Sequence, residues 1–67
     1  MIKIWVNEQS LEIEEGSTIL QLLEQLNSPK IGIAVAIQNA IISKNFWESI
    51  TLSNEDNVLI IQAAQGG

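Results

Sequence analysis

The chain has 67 residues, with three lysines and no arginine against eight acidic residues, so its net charge is −5. A chain of about 60 residues buries only about 60% of its unfolded surface, which leaves room for one domain and excludes an enzyme with an interdomain cleft. Cysteine and histidine are both absent, which excludes zinc, haem and iron–sulfur sites and Cys or His nucleophiles, so we expect no metal ligand and no catalytic residue.

The N-terminal residues predict two antiparallel strands. Aliphatic side chains occupy every second position in residues 2–6 and again in residues 11–14, which is the period of a strand with one buried face. Residues 7–10 (Asn-Glu-Gln-Ser) favour a turn between the two runs, and Glu15-Gly16 ends the second run. The chain is therefore expected to open with a hairpin.

A helix is predicted next. Thr18 and Gln21 have the spacing of a capping box immediately before an apolar run. The positions i, i+3, i+4 and i+7 of that run carry Ile19, Leu22, Leu23 and Leu26. This spacing places one apolar stripe toward a core. Pro29 disfavours helical geometry at the residue before it, so the helix should end at residues 27–29.

The second half of the chain predicts three more strands. Aliphatic residues alternate over residues 33–38, and Asn39-Ala40 separates them from Ile41-Ile42, which favours another hairpin. Residues 44–50 form a short irregular or single-turn connection, with Phe46 and Trp47 packed at a corner of the core. After a polar turn at residues 53–57, the apolar run 58–61 predicts a strand in the centre of the sheet.

The predicted order is β-β-α-β-β-β, which suits an α+β domain with one helix covering one face of a mixed sheet of about five strands. The other face then remains uncovered. If Val58 and Ile60 point toward the helix, alternation sends their neighbours outward to form an exposed apolar patch. The residues expected there are Leu59, Ile61, Ala63, Trp5, Ala34 and Ala36, and all of them except Ala63 are expected to dock partners.

The final residues, Ala-Ala-Gln-Gly-Gly, need a separate explanation. Glycine has no side chain to pack and loses the most entropy on ordering, so a frayed terminus is one interpretation. The other is that a bare backbone with a free carboxylate threads a narrow channel in another protein. We expect residues 1–63 to form the domain and residues 64–67 to form a flexible tail.

At this point the sequence resembles a known family: the ThiS family, the β-grasp sulfur carriers of thiamine biosynthesis within the ubiquitin-like group. The resemblance covers the whole length and depends on the order and spacing of several short motifs. These are residues 6–9 (Val-Asn-Glu-Gln), Gly16-Ser17-Thr18 before residues 22–26, residues 34–37 (Ala-Val-Ala-Ile), Trp47 and the final Gly66-Gly67.

The resemblance implies a ubiquitin-like β-grasp fold and a reactive carboxylate at Gly67. A ubiquitin-activating-type enzyme would adenylate that carboxylate with ATP, and the adenylate would become a thiocarboxylate that donates sulfur to thiazole synthase. Gly66, Gln65 and Ala64 would thread the tail into the partners. The chain itself would bind no cofactor, and a cysteine desulfurase system would supply the sulfur.

Three other functions are considered. The small subunit of molybdopterin synthase shares the grasp fold and the Gly-Gly end, usually on a longer chain, so length favours the thiamine assignment. A plain β-grasp binding module would dock partners through the sheet and leave its tail frayed. An independent enzyme is the weakest hypothesis: the acidic pairs at residues 14–15 and 55–56 lie beside predicted turns, where carboxylates are usually solvated.

Partners and compartment are constrained by charge and hydropathy. Lysines at positions 3, 30 and 44 are scattered along an acidic chain, which disfavours nucleic acid. The longest uncharged stretch, residues 31–43, is too short to cross a membrane, and the first residues lack the features of a signal peptide. We therefore expect a cytoplasmic protein with no membrane contact.

Overall fold

The computed structural model describes residues 1–62 and contains one mixed sheet with one α-helix packed on it. The elements are β1 (Ile2–Val6), β2 (Gln9–Ile13), α1 (Ile19–Gln25), β3 (Ile33–Ile37), β4 (Ala40–Ile42), a 3-10 helix (Lys44–Phe46) and β5 (Asn57–Gln62). The strand order in the sheet is β2-β1-β5-β3-β4, so β5 is central, as predicted. It runs parallel to β1 and antiparallel to β3.

Both hairpins close through two-residue turns whose residues have positive φ. These residues are Asn7 and Glu8 (49° and 72°) in the first turn, and Gln38 and Asn39 (52° and 68°) in the second. Positive φ at both central positions gives the twist that matches paired strands. Pairing therefore continues to the residues that flank each turn. The predicted turn at residues 7–10 was too long, because Gln9 already belongs to a strand. The predicted turn at residues 39–40 was one residue too late, because Ala40 already belongs to a strand.

The predicted capping box is confirmed at the start of α1. The Thr18 hydroxyl accepts the Gln21 N–H at 3.2 Å, and the Gln21 side-chain oxygen accepts the Thr18 N–H at 2.9 Å. The buried stripe is one residue shorter than predicted, because α1 ends at Gln25 and Leu26 is its exposed C-cap. Asn27 then adopts a left-handed φ of 56°, which turns the chain away.

The core lies between α1 and one face of the sheet. Val58 is fully buried there, and the partly buried Ile60 packs against the core cluster, so the predicted inward face of β5 is confirmed. The buried cluster consists of Ile4, Ile13, Ile19, Leu22, Leu23, Val35, Trp47, Leu52 and Val58.

The two aromatic residues after β4 behave differently. Trp47 is buried in the core, whereas Phe46 is exposed, so the prediction that both pack in a corner was wrong for Phe46. Successive side chains of a 3-10 helix point about 120° apart, because the helix has about 3 residues per turn. The turn that directs Trp47 into the core therefore directs Phe46 to the surface. Within residues 1–62, no helix is long and apolar enough to cross a membrane.

Candidate functional site

The sheet face opposite α1 carries a continuous set of apolar side chains. Residues directly paired across strands point to the same face, so the register places Leu59 beside Ala36, and Ile61 beside Ala34. Ala36 also pairs with Ile41 on the edge strand. We call this surface the outer face; its apolar members are Trp5, Ala34, Ala36, Ile41, Leu59 and Ile61.

The members of the outer face differ in how much surface they offer. Leu59 and Ile61 are each 44% exposed, and Trp5 is also exposed. Ala34 is half-buried, and Ala36 is only 4% exposed. Ala36 was expected to be part of an exposed patch, but its single methyl group lies in register between two larger side chains, so it forms the floor of the patch rather than its surface.

Ile41 was missed by the sequence reasoning, although it is 68% exposed and extends the outer face onto β4. A two-residue turn pairs Ile41 with Ala36 when it lies at residues 38–39, as observed, and would pair it with Gln38 at the predicted position, residues 39–40. Residues 36 and 38 point to the same face of a strand, so Ile41 points outward in both cases. With the turn at Gln38-Asn39, alternation directs Ile41 outward and the half-buried Ile42 toward the core. The signal was available in the sequence, because either turn position places Ile41 on the same face as Ala34 and Ala36.

Polar residues border the apolar centre on the β1–β2 side. The Lys3 ammonium lies 5.1 Å from the centroid of the Trp5 ring, within the range of a cation–π contact. Lys3 pairs in register with Glu12, and Trp5 pairs with Ser10. An apolar centre with a polar border is the usual composition of a protein–protein contact surface.

A small cavity of about 160 Å³ adjoins the apolar centre next to Leu59. Side chains of two turns and of the first residue of β5 complete its walls, namely Asn7, Glu8, Asn39 and Asn57. Ligand pockets usually enclose about 300–1,000 Å³. This cavity therefore has room for a side chain of a partner rather than for a whole small molecule.

The outer face leads directly to the end of β5. Ile61 and Gln62 are both exposed, and Gln62 pairs with Ile33 at the start of β3. The residues predicted to be modified or threaded into partners, namely Gly67, Gly66, Gln65 and Ala64, lie outside the described residues, as does Ala63. The last described residues thus connect the tail positions to the apolar surface.

The acidic pairs lie in the turns after β2 and before β5 and are not members of the outer face. Glu14, Glu15 and Glu55 are exposed. Asp56 is half-buried, and its carboxylate accepts the Ser53 N–H at 2.8 Å, which closes the turn before β5. In the part of the chain that the structure describes, no group of three potential metal ligands comes together.

Comparisons with known proteins identify the family. The model of the ThiS family matches residues 2–67. The sulfur carrier protein ThiS of Escherichia coli (strain K12) is 32% identical over 66 residues, which cover 98% of this chain and all of that protein.

Two solved structures from Geobacter metallireducens have the same fold. A crystal structure of thiamine biosynthesis protein (ThiS) superposes with a TM-score of 0.85 at 17% identity, covering 98% of this chain and 100% of that one. A solution NMR structure of a thiamine biosynthesis protein gives a TM-score of 0.79 at 17% identity, covering 98% of this chain and 88% of that one. The predicted α+β, ubiquitin-like β-grasp fold is confirmed, and, with the family match over residues 2–67, this chain belongs to the ThiS family.

Proposed function

We propose that this protein is the sulfur carrier of thiamine biosynthesis, acting as a substrate of other enzymes and not as a catalyst. The observation that carries the proposal is the family match over residues 2–67, which includes the final Gly66-Gly67. The full-length similarity to the E. coli sulfur carrier protein supports it.

The proposed chemistry takes place at the carboxylate of Gly67. A carboxylate is a poor acyl donor, because neither of its oxygens is a good leaving group. Attack of a carboxylate oxygen on the α-phosphorus of ATP releases pyrophosphate and forms an acyl-adenylate, which is an activated mixed anhydride. A sulfur nucleophile from a partner then attacks the acyl carbon and displaces AMP, on the path to a thiocarboxylate that donates sulfur for thiazole formation.

The catalytic groups in this scheme come from partners. The chain contains no cysteine, histidine or arginine, so it supplies neither the sulfur nucleophile nor an arginine to stabilise the transferring phosphoryl group. We infer three partners: a ubiquitin-activating-type adenylating enzyme that uses ATP, a cysteine desulfurase system that provides sulfur, and thiazole synthase. We assign the carrier to the cytoplasm on the ground that ATP-dependent activation takes place there.

We propose that the outer face docks these partners. Large exposed apolar patches on small proteins usually mark interaction sites. Trp5, Ile41, Leu59 and Ile61 provide such a patch, and β5 carries two of them toward the tail positions. Docking through this face would place the start of the tail at the edge of the interface, with Gly66, Gln65 and Ala64 leading to the partner's active site.

The test is a reconstituted activation of the purified protein. With ATP, the cognate adenylating enzyme and a sulfur source, intact-mass analysis should show an oxygen-to-sulfur exchange at Gly67. Deleting Gly67, or adding a residue after it, should abolish ATP–pyrophosphate exchange and leave the circular dichroism spectrum unchanged. Undiminished exchange in the truncated protein would contradict the assignment.

The pathway needs a test of its own. The activated carrier should deliver sulfur in a reconstituted thiazole synthase reaction. It should also restore growth without thiamine in a host that lacks its own thiamine sulfur carrier. If it restored only molybdopterin synthase activity, the proposed carrier chemistry would be supported and the assignment to thiamine biosynthesis would be wrong.

A further inference from the structure

Strand β5 extends well past the end of its neighbour β1. The two strands pair at only two positions, Trp5 with Asn57 and Val6 with Val58, and β5 then continues to Gln62. Backbone groups of alternate β5 residues face β1: the Asp56 carbonyl accepts the Trp5 N–H at 2.9 Å, and the Val58 carbonyl accepts the Asn7 N–H at 3.0 Å. Ile60 is the next residue in this alternation, but β1 has already ended there.

The side chain of Asn7 takes the place of the missing strand. Its Oδ1 accepts the Ile60 N–H at 2.8 Å, and its Nδ2 donates to the Ile60 carbonyl at 3.3 Å. A carboxamide carries the same donor and acceptor as a peptide group, so Asn7 extends the ladder by one step. The left-handed φ of 49° at Asn7 lets the main chain turn toward β2 at the same position, and asparagine tolerates this conformation better than most residues.

This bridge is the last bond to β5 from the β1 side in residues 1–62. Beyond it, Ile61 and Gln62 pair with β3 alone, through Ala34 and Ile33. Five residues follow Gln62 in the sequence, and their extended length is at most about 18 Å. The position of a carboxylate at Gly67 therefore depends strongly on where and in which direction β5 ends.

We propose that Asn7 is a positioning residue for the C-terminal tail: its carboxamide holds Ile60 in the sheet and so fixes the end of β5, which residues 63–67 follow in the sequence. The inference rests on the proposed function, because a fixed exit matters only if Gly67 must reach an activating enzyme. Once the outer face has docked, a fixed end of β5 confines the Gly67 carboxylate to a smaller volume. This confinement raises the effective concentration of the carboxylate at the ATP used by the adenylating enzyme.

The first test measures the hydrogen bonds between Asn7 and Ile60 in the absence of any enzyme. Asn7→Gly removes the carboxamide and keeps the left-handed conformation accessible. Two hydrogen bonds of ordinary net strength correspond to a factor of about 5 to 160, so amide hydrogen exchange at Ile60 should become faster by about that factor. The Leu52 amide, which bonds to the Ser17 carbonyl at 2.8 Å far from β5's end, serves as the internal reference and should be unaffected.

Asn54→Gly is the matched control. Its carboxamide likewise bonds a strand backbone, accepting the Lys3 N–H at 2.9 Å, but at the start of β1, which is the opposite end of the sheet. This variant should leave exchange at Ile60 near the wild-type rate. Equal exchange at Ile60 in Asn7→Gly and the wild type would overturn the proposal.

The second test measures activation. In ATP–pyrophosphate exchange with the cognate adenylating enzyme, Asn7→Gly should lower kcat by about 5-fold or more. Asn7 also lines the cavity beside Leu59, so a change in KM reports on docking, whereas the fall in kcat at saturating carrier concentration reports on positioning. Asn54→Gly should match the wild type in both constants. Unchanged kcat in Asn7→Gly, despite faster exchange at Ile60, would overturn the positioning role. If the wild type itself were not activated, the proposed function would fail, and the exchange data would still report on the bridge.

Discussion

The indole nitrogen of Trp47 donates a hydrogen bond to the carbonyl oxygen of Ile42 at 3.1 Å. The carbonyl of the same tryptophan accepts the Leu20 N–H at 3.0 Å. Trp47 therefore ties the edge strand β4 to the start of α1 while its ring fills the core between them. A segment with little regular structure is fixed in this way by one residue, through its side chain and its backbone carbonyl.

Replacing Trp47 with phenylalanine should lower the free energy of unfolding by about 1–3 kcal/mol, from the lost hydrogen bond and the smaller ring. Chemical denaturation followed by circular dichroism measures the change. Phe46→Leu is the control, since Phe46 is exposed and a surface change usually costs less than about 0.5 kcal/mol. Equal losses in the two variants would show that the burial of Trp47 is misassigned.

The capping box should contribute measurably to stability. Thr18→Ala removes the hydroxyl that accepts the Gln21 N–H and should lower the free energy of unfolding by about 1 kcal/mol. Thermal unfolding reports the change as a lower Tm. Gln25→Ala, at an exposed position of the same helix, should leave Tm unchanged or raise it slightly, because alanine has the higher helix propensity.

Adjacent residues of β5 should separate binding from folding. Leu59→Glu places a charge on the exposed outer face, so it should weaken binding to the adenylating enzyme much more than it lowers Tm. Val58→Glu forces an unpaired charge into the core and should unfold the domain. Titration calorimetry and circular dichroism measure the two effects. A folded Leu59→Glu protein that binds like the wild type would exclude Leu59 from the docking surface.

The penultimate residue should tolerate little bulk. Gly66→Trp leaves the terminal carboxylate in place but should block rescue of a host that lacks its thiamine sulfur carrier, since we propose that the tail enters a confined channel. Gly66→Ala, with a single added methyl group, should retain more rescue. Growth without thiamine measures both variants. Full rescue by the tryptophan variant would argue against a confined channel.

Periodicity predicted the elements and the faces of the sheet well, because each strand buries one side and the alternation of residues such as Val58 and Leu59 records this directly. Turn positions were less predictable. Gln38 and Asn39 lack the glycine that usually marks a two-residue turn, and only their positive φ reveals it.

Two features of the site depend on three-dimensional packing that no local pattern records. Ala36 has the alternation of an exposed residue, but its larger cross-strand neighbours reduce its exposure to 4%. The Asn7 bridge joins residues 53 positions apart, and the sequence indicates only that Asn7 lies in a turn. By contrast, the Gly66-Gly67 ending is visible in the sequence alone.

The central position of β5 also constrains when the domain can assemble. Its place in the order β2-β1-β5-β3-β4 makes it the only strand of the described sheet that joins the two hairpins. Because a ribosome synthesises a chain from its N-terminus, both hairpins emerge before the strand that connects them. In a nascent chain that stops before Asn57, the two halves of the sheet are therefore not joined and the outer face is incomplete. An enzyme that recognises that face would engage only molecules whose synthesis has passed β5, and so would not use unfinished chains as substrates.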